Sequence, residues 1–157
     1  MKKYFVLICL LFSAGLVFPQ TDKDLFKEDC AKINEVLDKY IIANETQNIR
    51  LIEEIWAIDE DIEAFGTAAG ERIKGWEEIR KVFIHQFNTF TDTYISARNR
   101  SVHIDDSGAF AWVSQMLNYN YLLEGVQRKY EGVRHTVVLK KINGEWKMLQ
   151  MHLSLPH

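Results

Sequence analysis

The fold is decided by residues 133–154, which read VRHTVVLKKINGEWKMLQMHLS. Apolar and polar side chains alternate on both sides of Asn143-Gly144, a dipeptide typical of the tight turn in a β-hairpin. Two registers are compatible with this turn: a two-residue type I′ loop that pairs Ile142 with Glu145, or a type I turn with a glycine bulge that pairs Lys141 with Glu145. A shift of one residue reverses the face of every side chain.

The bulged register places His152 opposite Arg134, whereas the type I′ register places it opposite His135. We favour the bulged register because it separates apolar from polar side chains, while the type I′ register mixes them. The apolar face then carries Val133, Val137, Leu139, Leu149, Met151 and Leu153. The polar face carries Arg134, Thr136, Gln150, His152 and Ser154, and near the turn it also carries Val138, Trp146 and Met148.

Outward from this hairpin, the pattern predicts four long strands at about 92–104, 109–123, 127–141 and 145–155. Helical spacing of apolar residues predicts three helices before them, at about 21–41, 46–57 and 76–90. Residues 62–73, with Gly66 and Gly70, predict a short irregular hairpin. Helices followed by a long antiparallel sheet indicate an α+β domain, with three N-terminal helices packed on one face of the sheet.

Residues 1–20 have the pattern of a secretory signal peptide. Lys2 and Lys3 precede an apolar run, and the small residues Ser13, Ala14 and Gly15 follow it. The apolar stretch at 4–18 is too short to cross a bilayer. We therefore predict a signal peptide at 1–20, a single domain at 21–157, a periplasmic or secreted location, and no membrane contact after cleavage. The formal charge of -3 gives no case for nucleic-acid binding.

Three motifs in the last hairpin resemble the C-terminal signature of the SnoaL-like branch of the nuclear transport factor 2-like superfamily: Arg134-x-Thr136-x-Val138, Asn143-Gly144-x-Trp146-x-Met148 and His152-x-Ser154. Residues 75–79, Gly-Trp-Glu-Glu-Ile, are similar to the start of that family's third helix. The resemblance implies a cone-shaped α+β fold, a pocket between helices and curved sheet, and a homodimer through the outer face of the sheet. It implies no single activity, because this fold hosts enzymes, transport factors and assembly domains.

The polar face of the hairpin is the predicted binding site. A guanidinium in a partly desolvated cavity needs an anionic partner. Arg134 therefore predicts a small anionic or carbonyl-bearing organic ligand, unless an internal acid such as Glu131 or Asp61 satisfies it. The predicted ligand-binding residues are Arg134, Thr136, Gln150, His152 and Ser154. The apolar face, by contrast, is the predicted homodimer surface, because a monomer would leave a large apolar patch exposed.

Two other functions remain open. A small isomerase, cyclase or dehydratase would use a pocket carboxylate with His152, the carboxylate coming from Asp59 or Asp61. Tyr119 or Tyr121 could then be the hydrogen-bond donor. A homo-oligomeric assembly module is the second alternative. We favour binding without catalysis because no acid-base pair is fixed by the sequence. The spacing of the histidines predicts no metal site, and without a phosphate-cradling glycine loop we predict no cofactor.

Overall fold

The computed structural model describes residues 22–68 and 70–156. The predicted signal peptide lies outside these residues. Three helices come first, with a short hairpin before the third: α1 (Asp22–Glu45), α2 (Ile49–Ile55), β1 (Glu63–Phe65), β2 (Arg72–Lys74) and α3 (Trp76–Thr89). Four long strands follow: β3 (Phe90–Ile104), β4 (Phe110–Leu123), β5 (Val126–Ile142) and β6 (Glu145–Ser154). The α+β prediction is confirmed, with element positions close to those expected. No helix in the described ranges is long and apolar enough to span a membrane.

One six-stranded sheet has the order β2-β1-β6-β5-β4-β3. The four long strands form an antiparallel meander, as predicted. The short β1 adds to the edge of β6 in parallel and pairs with β2 as the predicted hairpin. A bulge in β5 lies at Gly132, whose φ of 68° suits a residue without a Cβ. Such irregularities bend the strands, and the resulting curved, unclosed sheet has a concave face for the helices.

The core lies between the helices and this concave face. Helix α1 repeats buried side chains every three or four residues, which is the spacing of one helix face. These are Ile33, Val36, Leu37, Tyr40, Ala43 and Asn44. The facing side chains of the sheet are alternate residues of each strand, among them Val113, Leu117, Val133, Val137, Leu139 and Met151.

The register favoured for the last hairpin is wrong. Ile142 pairs with Glu145, and both Asn143 and Gly144 have positive φ values of 52° and 85°, as a type I′ loop requires. The bulge lies within β6 instead of at the turn, because Leu139 pairs with Met148 but Val138 pairs with Gln150. The extra residue, Leu149, shifts the register so that His152 lies opposite Thr136.

The bulge lets both ends of β6 place apolar side chains on the same face. Trp146 and Met148 point toward the helices before it, and Met151 does so after it; all three are buried. The predicted apolar face is therefore the core face of the sheet, and it cannot be the homodimer surface. The physical reason is that burying this face against the helices removes the most apolar area from water.

Candidate functional site

A cavity of about 220 Å³ lies between α1, α3 and the concave face of the sheet. Helix α1 contributes Tyr40, and α3 contributes Ile79, Val82, Phe83 and Gln86. The long strands complete most of the wall with Phe90, Tyr119, Tyr121, Tyr130, Val133, Met151 and Leu153. The β1–β2 hairpin and its turn contribute Ala64, Gly66, Thr67, Glu71 and Ile73. Pockets between helices and sheet with mainly apolar walls are typical small-molecule sites.

Aromatic rings dominate this cavity. Phe90 and Tyr121 stack with 4.0 Å between ring centroids, and Tyr119 meets Tyr121 edge to face at 5.8 Å. Tyr130 lies 6.2 Å from Tyr121 on its other side. Such rings offer flat apolar surfaces with little side-chain entropy to lose when a planar molecule binds.

A cluster of three polar side chains adjoins the cavity, and two of them, Gln86 and Tyr119, line it. The hydroxyl of Tyr119 donates to Asn44 Oδ1 at 2.8 Å, and Gln86 Nε2 donates to the same oxygen at 2.7 Å. Gln86 Nε2 also donates to the Tyr119 hydroxyl oxygen at 3.0 Å. Asn44 Nδ2 donates to the Tyr40 carbonyl at 2.7 Å, which fixes the orientation of the amide. The cluster therefore joins α1, α3 and β4.

Tyr119 and Tyr121 remain protonated at neutral pH. Burial raises the pKa of Tyr119 well above its ordinary value, and the neighbouring Tyr40 adds to that increase. Burial, as the largest cause, and the neighbouring Tyr130, as the next, raise the pKa of Tyr121 to about 12. Both groups can act as hydrogen-bonding hydroxyls but are poor bases at neutral pH.

A second polar network lies next to the cavity, on the inner face of β5. His135 is fully buried, and its Nδ1 lies 2.9 Å from Gln115 Nε2. Arg100 Nε donates to Gln115 Oε1 at 2.7 Å, and Arg100 forms an ion pair with Asp38 at 2.8 Å. Burial is the larger cause, and the positive charge of Arg100 the smaller, that lowers the pKa of His135 to about 3. The imidazole is therefore uncharged.

The five residues predicted to bind a ligand do not line this cavity. They do share one face, as predicted, because Arg134 pairs with Ser154 and Thr136 pairs with His152. That face is the outer, solvent-exposed side of the sheet, and His135 points inward instead. Thr136, Gln150 and His152 line an outer pocket of about 360 Å³ with Trp112. Ligand binding by these five residues stays a prediction, but their predicted placement inside the pocket is wrong.

The other candidate residues divide between the cavity and the surface. Tyr119 and Tyr121 line the cavity, as the enzyme hypothesis required. Asp59 and Asp61 are exposed, and Asp61 forms an ion pair with Lys74 at 3.0 Å. Neither aspartate lines the cavity, so neither is positioned as its base. Within the described ranges, no three His, Cys, Asp or Glu side chains lie close enough together to hold a metal ion.

Sequence reasoning missed Asn44, Gln86 and the network around His135. Two signals were present. Asn44 continues the apolar stripe of α1, and Gln115 interrupts the inward series Ala111, Val113, Leu117 and Tyr119 of β4. A polar residue at a buried position of such a pattern needs a hydrogen-bond partner, and partners of this kind are often found at a site.

Comparisons with known proteins agree with this architecture. A family model described as a SnoaL-like domain matches residues 33–157. No curated protein matches the chain.

Several solved structures share the fold. A candidate scytalone dehydratase from Novosphingobium aromaticivorans superposes with a TM-score of 0.75 at 14% identity, over 86% of this chain and 89% of that one. A candidate dehydratase of the nuclear transport factor 2-like family from Streptomyces avermitilis has a TM-score of 0.73 at 14% identity, over 83% of this chain and 99% of that one. A nuclear transport factor 2-like protein from Salmonella enterica has a TM-score of 0.72 at 17% identity, over 81% of this chain and 90% of that one. At these identities the structural likeness establishes the fold, while the family model covers most of the sequence. The chain therefore belongs to the SnoaL-like domain family, and it shares its fold with nuclear transport factor 2-like proteins.

Proposed function

We propose that the protein binds a small, uncharged, oxygen-bearing organic molecule in the aromatic cavity, without catalysing a reaction. The observation that carries this proposal is the cavity itself, with its volume of about 220 Å³ and its aromatic walls. An engineered cavity of about 150 Å³ in another protein accepts benzene. The cavity therefore has room for one ring with a few substituents.

The charge of the cavity argues for an uncharged molecule. Among the described residues that line it there is no Lys, Arg or His, and the one carboxylate is that of Glu71. An anion placed there would lose its hydration without gaining a cationic partner, which is costly. Arg134 lies on the other face of the sheet, so it cannot supply the cationic partner that an anion in this cavity would need.

The polar cluster would hold an oxygen of the bound molecule. The hydroxyl hydrogen of Tyr119 is already donated to Asn44, and the amide nitrogen of Gln86 donates to both of these residues. A hydroxyl oxygen can accept two hydrogen bonds, so Tyr119 keeps one acceptor position. The Gln86 carbonyl is a second acceptor. These groups fit a hydroxyl group on the bound molecule.

Catalysis of the isomerase or dehydratase kind is the second candidate, because two structures of the same fold are candidate dehydratases. Such chemistry needs a base within reach of the bound molecule. Asp59 and Asp61 are exposed and His152 is on the outer face. Glu71 is the one carboxylate among the described lining residues, and it already accepts an exposed hydrogen bond from Ala68 N at 3.1 Å. Binding without chemistry is therefore favoured by the geometry.

Calorimetry with two nearly isosteric probes tests this proposal. We expect neutral benzamide to bind more tightly than anionic benzoate. Val133→Phe should fill the cavity and weaken benzamide binding, whereas Val126→Phe, the same change at an exposed position of β5, should leave it unchanged. Tighter binding of benzoate, or benzamide binding that Val133→Phe does not weaken, would contradict the proposal.

We also infer that the protein is exported and forms a homodimer. Export rests on the charged, apolar and small-residue order of residues 1–20, and it would place the mature domain in the periplasm or outside the cell. The mass of the exported form should then lack at least residues 1–14. The homodimer would use the outer face of the sheet, where Phe110 and Trp112 are exposed on β4.

A further inference from the structure

A fully buried imidazole with an unpartnered nitrogen borders the inner wall of the cavity. His135 lies 5.0 Å from the ring of Tyr40, centroid to centroid. It is paired with Leu153 of β6, and Val133 precedes it by two residues on the same face of β5. Tyr40, Leu153 and Val133 all line the cavity. The imidazole is therefore adjacent to three cavity-lining residues.

The hydrogen-bond network determines which imidazole nitrogen carries the proton. A guanidinium can only donate, so the oxygen of the Gln115 side chain must face Arg100 Nε, at 2.7 Å. The amide nitrogen of Gln115 then faces His135 Nδ1, at 2.9 Å. An amide nitrogen also only donates, so Nδ1 is an acceptor. In an uncharged imidazole the proton must then be on Nε2.

The position of Arg100 is itself fixed. Its guanidinium pairs with Asp38 at 2.8 Å and donates to Asn34 Oδ1 at 3.1 Å, both in α1. This anchoring prevents Gln115 from exchanging its oxygen and nitrogen without losing a charged hydrogen bond. The network therefore holds a neutral N–H donor in one orientation, next to residues that line the cavity.

Nε2 of His135 has no hydrogen-bond partner within residues 22–68 and 70–156. A buried donor left unsatisfied loses its hydration without compensation, and such groups in native proteins call for an explanation. We propose that Nε2–H of His135 is the donor that recognises a carbonyl oxygen of the bound molecule, with Gln115 and Arg100 as positioning residues. This inference rests on the proposed function and names a specificity-determining group for it.

Tyr40 controls access in this proposal, because its ring contacts the imidazole and also lines the cavity. In this proposal the Tyr40 ring moves aside to let a ligand oxygen reach the buried nitrogen. A carbonyl group is the chemistry that fits, since it accepts a hydrogen bond without bringing a charge. A carboxylate would need a cation, and Arg100 already has Asp38, Asn34 and Gln115 as partners.

The test uses acetophenone and α-methylstyrene, which differ only in the replacement of the carbonyl oxygen by a methylene group. Their affinities are measured for the wild-type domain and for His135→Leu. The ratio of the two dissociation constants should shift against acetophenone by about threefold to tenfold in the variant, as expected for one hydrogen bond. Gln115→Met, which keeps the imidazole but removes its anchor, should shift the ratio in the same direction. His152→Leu, an exposed outer-face control, should not shift it.

Nitrogen-detected NMR of ¹⁵N-histidine-labelled protein provides a readout that a merely structural role would not change. We expect His135 as the neutral Nε2–H form, and a shift of its Nε2–H resonance with acetophenone but not with α-methylstyrene. A proton on Nδ1 in the wild type would overturn the inference directly. If the ratio of the two dissociation constants is the same in wild type and His135→Leu, this inference fails, whereas the proposal that the cavity binds a ligand is unaffected. If neither probe binds, the proposed function fails, and this inference fails with it.

Discussion

The hydroxyl of Tyr119 in β4 donates a hydrogen bond to Asn44 Oδ1 in α1, with 2.8 Å between the two oxygens. The bond crosses the wall of the cavity, and both residues are buried. Gln86 of α3 donates to the same amide oxygen. One asparagine therefore satisfies two other polar groups at the point where two helices meet the sheet.

Removing Asn44 should cost more stability than removing the tyrosine hydroxyl. Asn44→Leu leaves Tyr119 and Gln86 without their acceptor, so we expect a loss of about 2 kcal/mol, against about 1 kcal/mol for Tyr119→Phe. The double variant should lose less than the sum, because the two residues share one interaction. Urea unfolding measures all three, with exposed Thr46→Ala as a near-neutral control. Strict additivity would contradict the shared interaction.

Asp29 holds α1 against the last hairpin. Its carboxylate is buried and accepts from Lys141 Nζ at 2.6 Å and from Trp146 Nε1 at 2.9 Å. Asp29→Asn should lower the free energy of unfolding by about 2 kcal/mol at neutral pH, because it weakens a charged, hydrogen-bonded pair. Glu28→Gln removes the exposed partner of Lys32 and should have little effect. Equal effects of the two substitutions would contradict this role.

The pH dependence of this interaction follows from its pKa. Burial alone would raise the pKa of Asp29, but hydrogen bonds from Lys141 and Trp146 outweigh it, so that the pKa is lowered. A carboxyl whose pKa is lowered by folding stabilises the protein above its unfolded pKa, near 3.9. That contribution is lost as the pH falls through the folded value, so wild type and Asp29→Asn should converge in stability only in strong acid.

The elements could be predicted from the sequence because each has a local signal. Helical spacing marked α1 and α3, and Asn143-Gly144 marked the last turn. The register could not be predicted, since the bulge at Leu149 has no comparable residue signature and alternation alone cannot locate it. The site was assigned to the polar face because convergent polar groups suggested a pocket. The helices cover the apolar face instead, and the polar groups of the cavity come from α1, α3 and β4.

Cysteine scanning tests the bulge in β6. Without it, positions 148 and 150 would share a face; with it, Met148 is buried and Gln150 is exposed. In a mature domain carrying Cys30→Ser, a maleimide should modify Gln150→Cys rapidly. Met148→Cys should react about tenfold or more slowly, since its reaction requires local opening. Equal reaction rates at the two positions would show that the strand continues without the extra residue.

The outer face of the sheet should form the homodimer if the protein dimerises as we propose. Trp112 is 51% exposed and stacks on His103, with 5.4 Å between ring centroids, and Phe110 beside it is 42% exposed. Large exposed aromatic side chains of this kind are enriched in interface cores. Trp112→Lys should therefore give a monomer by light scattering, whereas Val126→Lys, at another exposed apolar position, should not. A monomeric wild-type protein would contradict the proposed homodimer.

The lowered pKa of His135 predicts how the stability of the domain depends on pH between about 4.5 and 6.5. Burial and Arg100 lower the pKa of His135 to about 3, whereas a histidine in the unfolded chain titrates near 6.5. Between these values the unfolded state binds one proton more than the folded state, so stability rises with pH and is lost as the pH falls below 6.5. At two pH units below 6.5, this residue lowers the free energy of unfolding by about 2–3 kcal/mol.

The free energy of unfolding of His135→Leu should therefore depend less on pH over this window, while that of the exposed control His152→Leu should follow the wild type. Parallel profiles for wild type and His135→Leu would mean that the imidazole gains its proton in the folded state at an ordinary pH, and that Gln115 and Arg100 do not hold it neutral.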